Sequence, residues 1–132
     1  MVQVKTKTKI FLIEDEIDIM YINKTALQAA GFEVVALGSG KDAMEKIKEV
    51  QDKKEEKPDL VLLDLVLPDI NGLEILRAIR ENSLTKNIKV FILSNYTSEA
   101  LLNIKYIKPD KFILKSATTP TQLVEMVKKQ VE

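Results

Sequence analysis

The sequence of 132 residues contains no cysteine and no histidine. Without cysteine the chain can form neither a disulfide nor a thiolate nucleophile, and without histidine it has no imidazole base. The usual zinc ligands are missing with them. Any metal bound by this chain would therefore be a hard cation held by oxygen atoms.

An excess of charge of one sign is also missing. Lysine and arginine together number 20, as do aspartate and glutamate, so the formal net charge is zero. No segment is basic enough to suggest a nucleic-acid or anionic membrane surface, and we expect no nucleic-acid partner and no membrane partner. The polar N-terminus lacks the apolar core of a signal peptide, and no stretch approaches a membrane span. The sequence therefore predicts a cytoplasmic protein.

The length and the hydrophobic content of 45% suit one domain with one good core. We expect a single domain over residues 1–132, with residues 1–7 as a flexible N-terminal extension. No internal repeat or low-complexity segment is present.

The central feature of the chain is the apolar run of residues 60–63, which is too short for a helix and is bounded by helix breakers. It predicts a strand buried on both faces. Asp64 ends this strand, and Pro68 with Asn71-Gly72 predicts a short loop that leads into a helix. In open parallel sheets, ligands bind beyond the carboxyl ends of the strands, where Asp64 is expected.

The rest of the chain alternates between strand and helix patterns. Strands are predicted at residues 9–13, 32–37, 60–63, 88–93 and 111–114. Helices are predicted at residues 17–30, 39–50, from 71 through at least 79, at 98–106 and at 119–132, and the fourth has the most ragged apolar stripe. The apolar positions of the first helix are Ile17, Met20, Tyr21, Leu27 and Ala30, and those of the third are Leu73, Leu76 and Ile79. Five strands alternating with five helices indicate an α/β fold, a flavodoxin-like doubly wound (βα)5 domain with a five-stranded parallel sheet.

Helix ends carry recognisable signals. Gly31 is expected to close the first helix. Asn71 is expected to cap the third helix in a capping box with Glu74. Thr119-Pro120-Thr121-Gln122 has an N-cap, a proline at the first helical position and a reciprocal glutamine, which predicts the start of the last helix.

Polar side chains follow four of the predicted strands: Glu14-Asp15, Asp64, Ser94 and Lys115. If these strands are parallel neighbours, the four groups meet at one edge of the sheet. Crowded carboxylates repel one another unless a positive charge lies among them, and a divalent cation with the Lys115 ammonium would supply it. An all-oxygen site of this kind suits Mg²⁺. A carboxylate beside Mg²⁺, a hydroxyl and a lysine can attack phosphorus, which makes Asp64 a candidate nucleophile.

These residues resemble the receiver domains of bacterial two-component response regulators, over nearly the whole chain. The resemblance lies in Glu14-Asp15, in Asp64 followed by Pro68 and Asn71-Gly72, in Ser94, and in Lys115 three residues after Phe112. It implies a stand-alone receiver that accepts a phosphoryl group on Asp64 from a histidine kinase or phosphotransfer protein, and then changes its binding to an unknown output protein. The domain would catalyse its own phosphorylation and dephosphorylation without being a conventional enzyme.

The resemblance also implies roles for the other residues. Glu14, Asp15, Asp64 and the Val66 backbone carbonyl would hold Mg²⁺. Ser94 and Lys115 would contact the phosphoryl oxygens, and Phe112 would change rotamer together with Ser94 as a switch. Val66 and Tyr96 would flank the path of the hydrolytic water, and because neither can orient water they would shield the phosphoryl group and slow its loss.

The chain departs from the family pattern at three places. Glu14 stands where the family usually has aspartate, and Asn95 stands where a small residue is usual. Ser116 replaces a proline, so we expect a trans peptide bond between Lys115 and Ser116, and no Gly-Ala pair precedes Phe112.

Plainer interpretations remain open for the single residues. The acids Glu14, Asp15, Glu16 and Asp18 could do no more than complement a helix dipole. Asp64 could be a turn residue, and Ser94 could cap a helix. Lys115 could be a solvated lysine and Phe112 a core aromatic.

Two other functions compete with the phosphorylation switch. One is a pseudo-receiver that binds a partner without being phosphorylated. The other is a phosphatase of the haloacid-dehalogenase type, which requires a second aspartate where Val66 stands. The segment Gly38-Ser39-Gly40-Lys41 resembles a nucleotide-binding loop. Its spacing does not fit a P-loop, and it follows the second strand, whereas a dinucleotide-binding motif follows the first, so we interpret it as a helix start.

Overall fold

The computed structural model describes residues 7–95 and 107–132. The five strands of these ranges are β1 (Lys9–Ile13), β2 (Glu33–Leu37), β3 (Leu60–Asp64), β4 (Lys89–Ser94) and β5 (Lys111–Leu114). The four α-helices of the same ranges are α1 (Ile17–Ala29), α2 (Gly40–Gln51), α3 (Gly72–Arg80) and α4 (Pro120–Val131). A 3-10 turn, Lys115–Ala117, directly follows β5.

The strands form one sheet in the order β2-β1-β3-β4-β5, and every neighbouring pair is parallel. This confirms the predicted doubly wound α/β fold. All five strands therefore end at the same edge of the sheet, which we call the carboxyl edge; the opposite edge, where Lys9, Leu60 and Lys111 begin their strands, is the amino edge. The predicted helix at 98–106 and residues 1–6 of the predicted extension lie outside the described residues.

Two apolar layers cover the two faces of the sheet. Alternate residues of the central strands point to opposite faces, so Phe11 and Leu63 belong to the layer that includes side chains of α2 and α3, whereas Leu12 and Leu62 belong to the layer that includes those of α1 and α4. The central strands are buried on both faces, as their continuous apolar runs predict. The sheet is thus a rigid support for the residues at its edges.

The apolar stripes of two helices differ from expectation. On α1, Leu27 is fully buried, but Ile17 and Tyr21 are 80% and 70% exposed, so only part of the predicted stripe faces the core. On α3, the buried face includes Ile75, which is not among the predicted apolar positions, while Leu73 is only half-buried. The buried face of α3 is therefore the predicted one at Leu76 and Ile79, widened to include Ile75.

The predicted helix caps are present with one correction. Gly31 has φ of 97° just past α1, and the Phe32 N–H donates to the Leu27 carbonyl at 3.2 Å, which is a Schellman ending. The capping box of Thr119 and Gln122 is confirmed. The predicted box of Asn71 and Glu74 is wrong, because the Asn71 side chain accepts from the N–H one residue earlier, at Leu73 (2.9 Å).

Helices long and apolar enough to cross a membrane are absent from residues 7–95 and 107–132.

Candidate functional site

Asp64 is the last residue of β3 and is only 4% exposed. The Val66 backbone N–H donates to its Oδ1 atom at 3.1 Å, and the Lys115 ammonium donates to its Oδ2 atom at 3.2 Å. Both carboxylate oxygens are therefore held in defined positions at the carboxyl edge.

Gly72 allows the chain to leave Asp64 by a tight path. It is the first residue of α3, and its N–H donates to the Leu65 carbonyl at 2.9 Å. A Cβ atom at this position would lie 2.7 Å from the Asp64 carbonyl oxygen and 2.8 Å from the Leu65 Cα, which is too close for any other residue without a backbone shift. The Asn71-Gly72 pair thus brings the start of α3 against the end of β3.

Three carboxylates meet at this edge. Glu14 and Asp15 directly follow β1, which lies next to β3 in the sheet. Each of Glu14, Asp15 and Asp64 offers a carboxylate oxygen, and these three atoms all lie within 4.8 Å of one another. Glu14 and Asp64 are buried and Asp15 is half-buried, so water screens their repulsion only in part.

Lys115 comes to the same place from β5. Its ammonium lies 2.6 Å from Glu14 Oε1 and 3.2 Å from Asp64 Oδ2, and 4.0 Å from the exposed Glu16. Burial opposes the charge of the ammonium, but the hydrogen bond to Glu14 and the charge of Asp64 outweigh it and raise the pKa of Lys115. Lys115 is therefore a cation held between two carboxylates.

Glu14 is the least satisfied group of the site. Its Oε2 atom is buried and has no hydrogen-bond partner among the described residues. Burial, followed by the neighbouring Asp64 carboxylate, raises the pKa of Glu14 from 4.5 to about 7, although Lys115 acts in the opposite direction. One ammonium does not compensate for three neighbouring acids.

The donor set fits a hard divalent cation. Three carboxylates offer only oxygen ligands, and the buried Glu14 oxygen lacks a partner in the described part of the chain. A cation bound here would favour the ionised form of Glu14 and offset the repulsion among the acids. The group of three acids can therefore hold a metal ion.

The other predicted site residues lie close by in sequence or register. Ser94 is buried and ends β4, one residue beyond Leu93, which pairs with Asp64. Phe112 is partly buried and packs against the core layer of α2 and α3, which supports the core interpretation of this residue. Val66 is 57% exposed. Tyr96 lies outside the described residues.

The Lys115–Ser116 peptide bond is trans, as predicted. Lys115 begins a 3-10 turn, and the Thr118 hydroxyl at its end donates to the Leu114 carbonyl at 2.7 Å. The replacement of the usual proline by Ser116 therefore leaves an ordinary turn that starts at the site lysine.

Asp69 was not singled out from the sequence. Its Oδ1 and Oδ2 atoms accept hydrogen bonds from the backbone N–H groups of Gly40 and Lys41, each at 2.9 Å. The bonds from Lys41 and then Gly40 lower the pKa of Asp69. The N-terminus of α2, with Ser39 as its N-cap, is thus a helix start, as interpreted, and its first amides bind a carboxylate of the chain itself. A Pro-Asp-x-Asn-Gly loop facing a Gly-rich helix start is the sequence signal for this contact.

Comparison with known proteins agrees with the geometry. The family model described as "Response regulator receiver domain" matches residues 10–128. The response regulator TrrA of Thermotoga maritima, solved in complex with Mg²⁺ and BeF, is 30% identical with a TM-score of 0.76, and the match covers 93% of this chain and 98% of that one. A CheY-like receiver domain protein of Methanospirillum hungatei superposes with a TM-score of 0.80 over 95% of this chain and 94% of that one; at 24% identity it shows the fold alone.

The curated relatives are longer than this chain. The DNA-binding response regulator MtrA of Mycolicibacterium paratuberculosis is 31% identical over 77 residues, which are 58% of this chain and 32% of the relative. The chain spans about a third of the length of the curated relatives it matches. The expected lack of a nucleic-acid partner stays a prediction, and MtrA itself is named as DNA-binding.

Proposed function

The chain belongs to the response regulator receiver domains, and from that premise we propose that it is a phosphorylation switch with Asp64 as the phosphoryl acceptor. The observation that supports this most is the group of Glu14, Asp15, Asp64 and Lys115 at the carboxyl edge, in which a buried glutamate oxygen lacks a partner among the described residues. Such an unbalanced site has little value for folding alone, because buried like charges destabilise.

The metal ligands in this proposal are Glu14, Asp15, Asp64 and the backbone carbonyl of Val66. Their oxygen atoms suit Mg²⁺, which prefers hard ligands. When bound, Mg²⁺ neutralises charge on the oxygens of the phosphoryl group in transfer. The glutamate in place of the usual aspartate gives the cluster one longer arm, and this arm is the one that contacts Lys115 (2.6 Å).

In the transfer step, an oxygen of the Asp64 carboxylate attacks phosphorus. The new bond joins this oxygen to phosphorus, and the bond from phosphorus to the donor atom breaks with its electron pair going to the donor. Val66 N–H and Lys115 restrict rotation of the carboxylate, so the nucleophile is oriented before the donor arrives. The product is an aspartyl phosphate.

Lys115 and Ser94 have the next roles. Once Asp64 carries the phosphoryl group, the Lys115 ammonium and the Ser94 hydroxyl donate hydrogen bonds to phosphoryl oxygens. Phe112 changes rotamer with Ser94, and an altered surface binds the output protein. The donor is a histidine kinase or a phosphotransfer protein.

Labelling by a small phosphodonor tests this proposal without knowledge of the kinase. Incubation with acetyl phosphate and Mg²⁺ is expected to add one phosphoryl group, measured by intact mass, and EDTA is expected to prevent it. If the chain is a pseudo-receiver, no labelling is expected with or without EDTA. Labelling that persists in EDTA would contradict the metal-dependent mechanism.

A further inference from the structure

We propose that Asp69 is a positioning residue of the carboxyl edge: its carboxylate fastens the loop between β3 and α3 (residues 65–71) to the first turn of α2, and thereby fixes the backbone of Val66 for metal binding. This inference rests on the proposed function, since the Val66 carbonyl is one of the proposed ligands. Asp69 acts on the cluster of Glu14, Asp15 and Asp64 only through this loop.

The contact uses both oxygens of one side chain. Asp69 Oδ1 accepts from the Gly40 N–H at 2.9 Å and from the Ile70 N–H at 3.0 Å, and Oδ2 accepts from the Lys41 N–H at 2.9 Å. The first N–H groups of a helix have no partner within the helix, and they carry the positive end of its dipole. A carboxylate held by two of them joins two segments that lie 28 residues apart in the chain.

Gly40 makes this approach possible. A Cβ atom on Gly40 would lie 2.7 Å from the Ile70 Cβ and 2.9 Å from Asp69 Oδ1, so the loop and the helix start could not keep their separation with any larger residue. Gly40 is also buried. Within the segment Gly38-Ser39-Gly40-Lys41, the absence of a side chain at Gly40 thus leaves room for Asp69 and Ile70 of the loop.

The same loop is fixed at its two ends. At its start the Val66 N–H donates to Asp64 Oδ1 (3.1 Å), and at its end the Gly72 N–H donates to the Leu65 carbonyl (2.9 Å). The carbonyl of Val66 thus belongs to the short stretch between the first anchor and Asp69. Val66 is also 57% exposed, so its own side chain adds little packing to hold the loop. Next to Val66, Leu67 is buried in the core layer of α2 and α3, and the Asp69 contact adds hydrogen bonds that attach the second half of the loop to α2.

Amide hydrogen exchange in the metal-free protein tests the contact itself. The Gly40 and Lys41 amides are expected to exchange about tenfold faster in Asp69→Ala than in the wild type, because they lose their acceptor. The Asp42 amide, which donates to Ser39 Oγ at 3.0 Å, serves as the internal reference and should change little. Equal exchange of the Gly40 and Lys41 amides in both proteins would overturn the proposal.

Magnesium affinity, titrated by NMR or calorimetry at a temperature where every variant is folded, tests the positioning role. We expect Asp69→Ala to weaken Mg²⁺ binding by about tenfold, as the loss of an outer partner of a metal site commonly does. Asp69→Asn retains one acceptor oxygen, so its Mg²⁺ affinity should lie between those of the wild type and Asp69→Ala. Asp42→Ala is the matched control, because Asp42 is an exposed acid in the same first turn of α2, and we expect less than about a twofold change.

Gly40→Ala perturbs the contact from the other side. Its added methyl group should displace Asp69 and weaken Mg²⁺ binding, as Asp69→Ala does. The double variant should lose less Mg²⁺ binding free energy than the sum of the losses in the two single variants. Wild-type Mg²⁺ affinity in Asp69→Ala, with fast Gly40 and Lys41 exchange, would reduce Asp69 to a structural residue and overturn the proposal while leaving the proposed function intact. A wild type that binds no Mg²⁺ would overturn the metal site and this role of Asp69 together.

Discussion

Charged groups are buried at both edges of the sheet, but only at the amino edge are they well paired. There the Lys9 ammonium, on a side chain 6% exposed, donates to Glu55 and to the Glu56 carbonyl (3.0 Å). The Arg80 guanidinium donates to three backbone carbonyls and to Asp110 at 2.9 Å. The hydrogen bond from Lys9, together with its charge, lowers the pKa of Glu55.

The carboxyl edge has the opposite character. Of the three clustered acids, two contact the Lys115 ammonium, and Glu14 keeps a buried oxygen without a partner in the described part of the chain. The pKa of Glu14 is raised to about 7, chiefly by burial. A well-paired buried charge holds segments together, whereas an imbalance of this kind is typical of a site that binds something. The comparison therefore assigns structure to the amino edge and function to the carboxyl edge.

Removal of Arg80 should have the largest effect on stability. Arg80→Ala removes the hydrogen bonds that the guanidinium donates to Asp110 and to three backbone carbonyls, and we expect a loss of about 3 kcal/mol in the free energy of unfolding, the upper end for hydrogen bonds that involve a charged group. Arg77→Ala on the same helix removes only an exposed pair with Glu81 (3.6 Å) and should cost less than about 1 kcal/mol. Urea unfolding measures both, and equal losses would show that the Arg80 network is not structural.

Glu14→Gln should instead raise the free energy of unfolding of the metal-free protein at pH 8. Between pH 4.5 and about 7, folded Glu14 retains a proton that the unfolded chain has released, so the free energy of unfolding falls as the pH rises. One pKa unit corresponds to about 1.4 kcal/mol, and after discounting by half for solvent screening we expect the variant to gain about 2 kcal/mol above pH 7.

This gain should disappear below pH 4.5, where Glu14 is protonated in both states of the wild type. Urea unfolding at several pH values in EDTA gives the two curves. A wild-type curve with the same pH dependence as that of Glu14→Gln would contradict the raised pKa.

Asp15→Ala should weaken Mg²⁺ binding by about 30-fold, or about 2 kcal/mol, because it removes one of the three clustered carboxylates. Glu16→Ala is the control, since Glu16 is the next acid in the chain but is exposed and lies outside the cluster. Its effect should stay within about twofold. Calorimetric titration measures the Mg²⁺ affinity of both variants and shows which acids belong to the site. Similar affinities would show that net charge alone attracts the ion.

The smallest predicted effect concerns the lifetime of the aspartyl phosphate. Val66→Asn together with Tyr96→Glu supplies polar groups that can orient a water molecule, and we expect decay about tenfold faster, or about 1.4 kcal/mol lower in barrier. Intact mass after removal of the phosphodonor follows the decay. A double variant that decays no faster than the wild type would refute the shielding by Val66 and Tyr96.

Much of the fold follows from local patterns in the sequence. The buried strands read as apolar runs, and the endings at Gly31 and Thr119 have their own residue signatures. Polar residues at strand ends also predict the convergence of Glu14, Asp64 and Lys115, because parallel strands end at one edge.

The contacts missed by sequence reasoning are long-range ones. Asp69 and the α2 amides, or Arg80 and Asp110, are separated by 28 to 30 residues, and no local period relates them. Exposed side chains such as Ile17 and Tyr21 on α1 fit the helical period of their neighbours but not the packing of the neighbouring elements. Local periodicity therefore predicts which elements form, but it does not determine which surfaces they share.

The most direct test of the central claim compares the two ends of one strand. Asp59 precedes β3 at the amino edge, where it accepts from the Lys9 N–H at 2.8 Å, and Asp64 ends β3 at the carboxyl edge. After incubation with acetyl phosphate and Mg²⁺, intact mass should show one added phosphoryl group on the wild type and on Asp59→Asn, and none on Asp64→Asn. Labelling of Asp64→Asn to the wild-type extent would contradict the assignment of Asp64 as the acceptor.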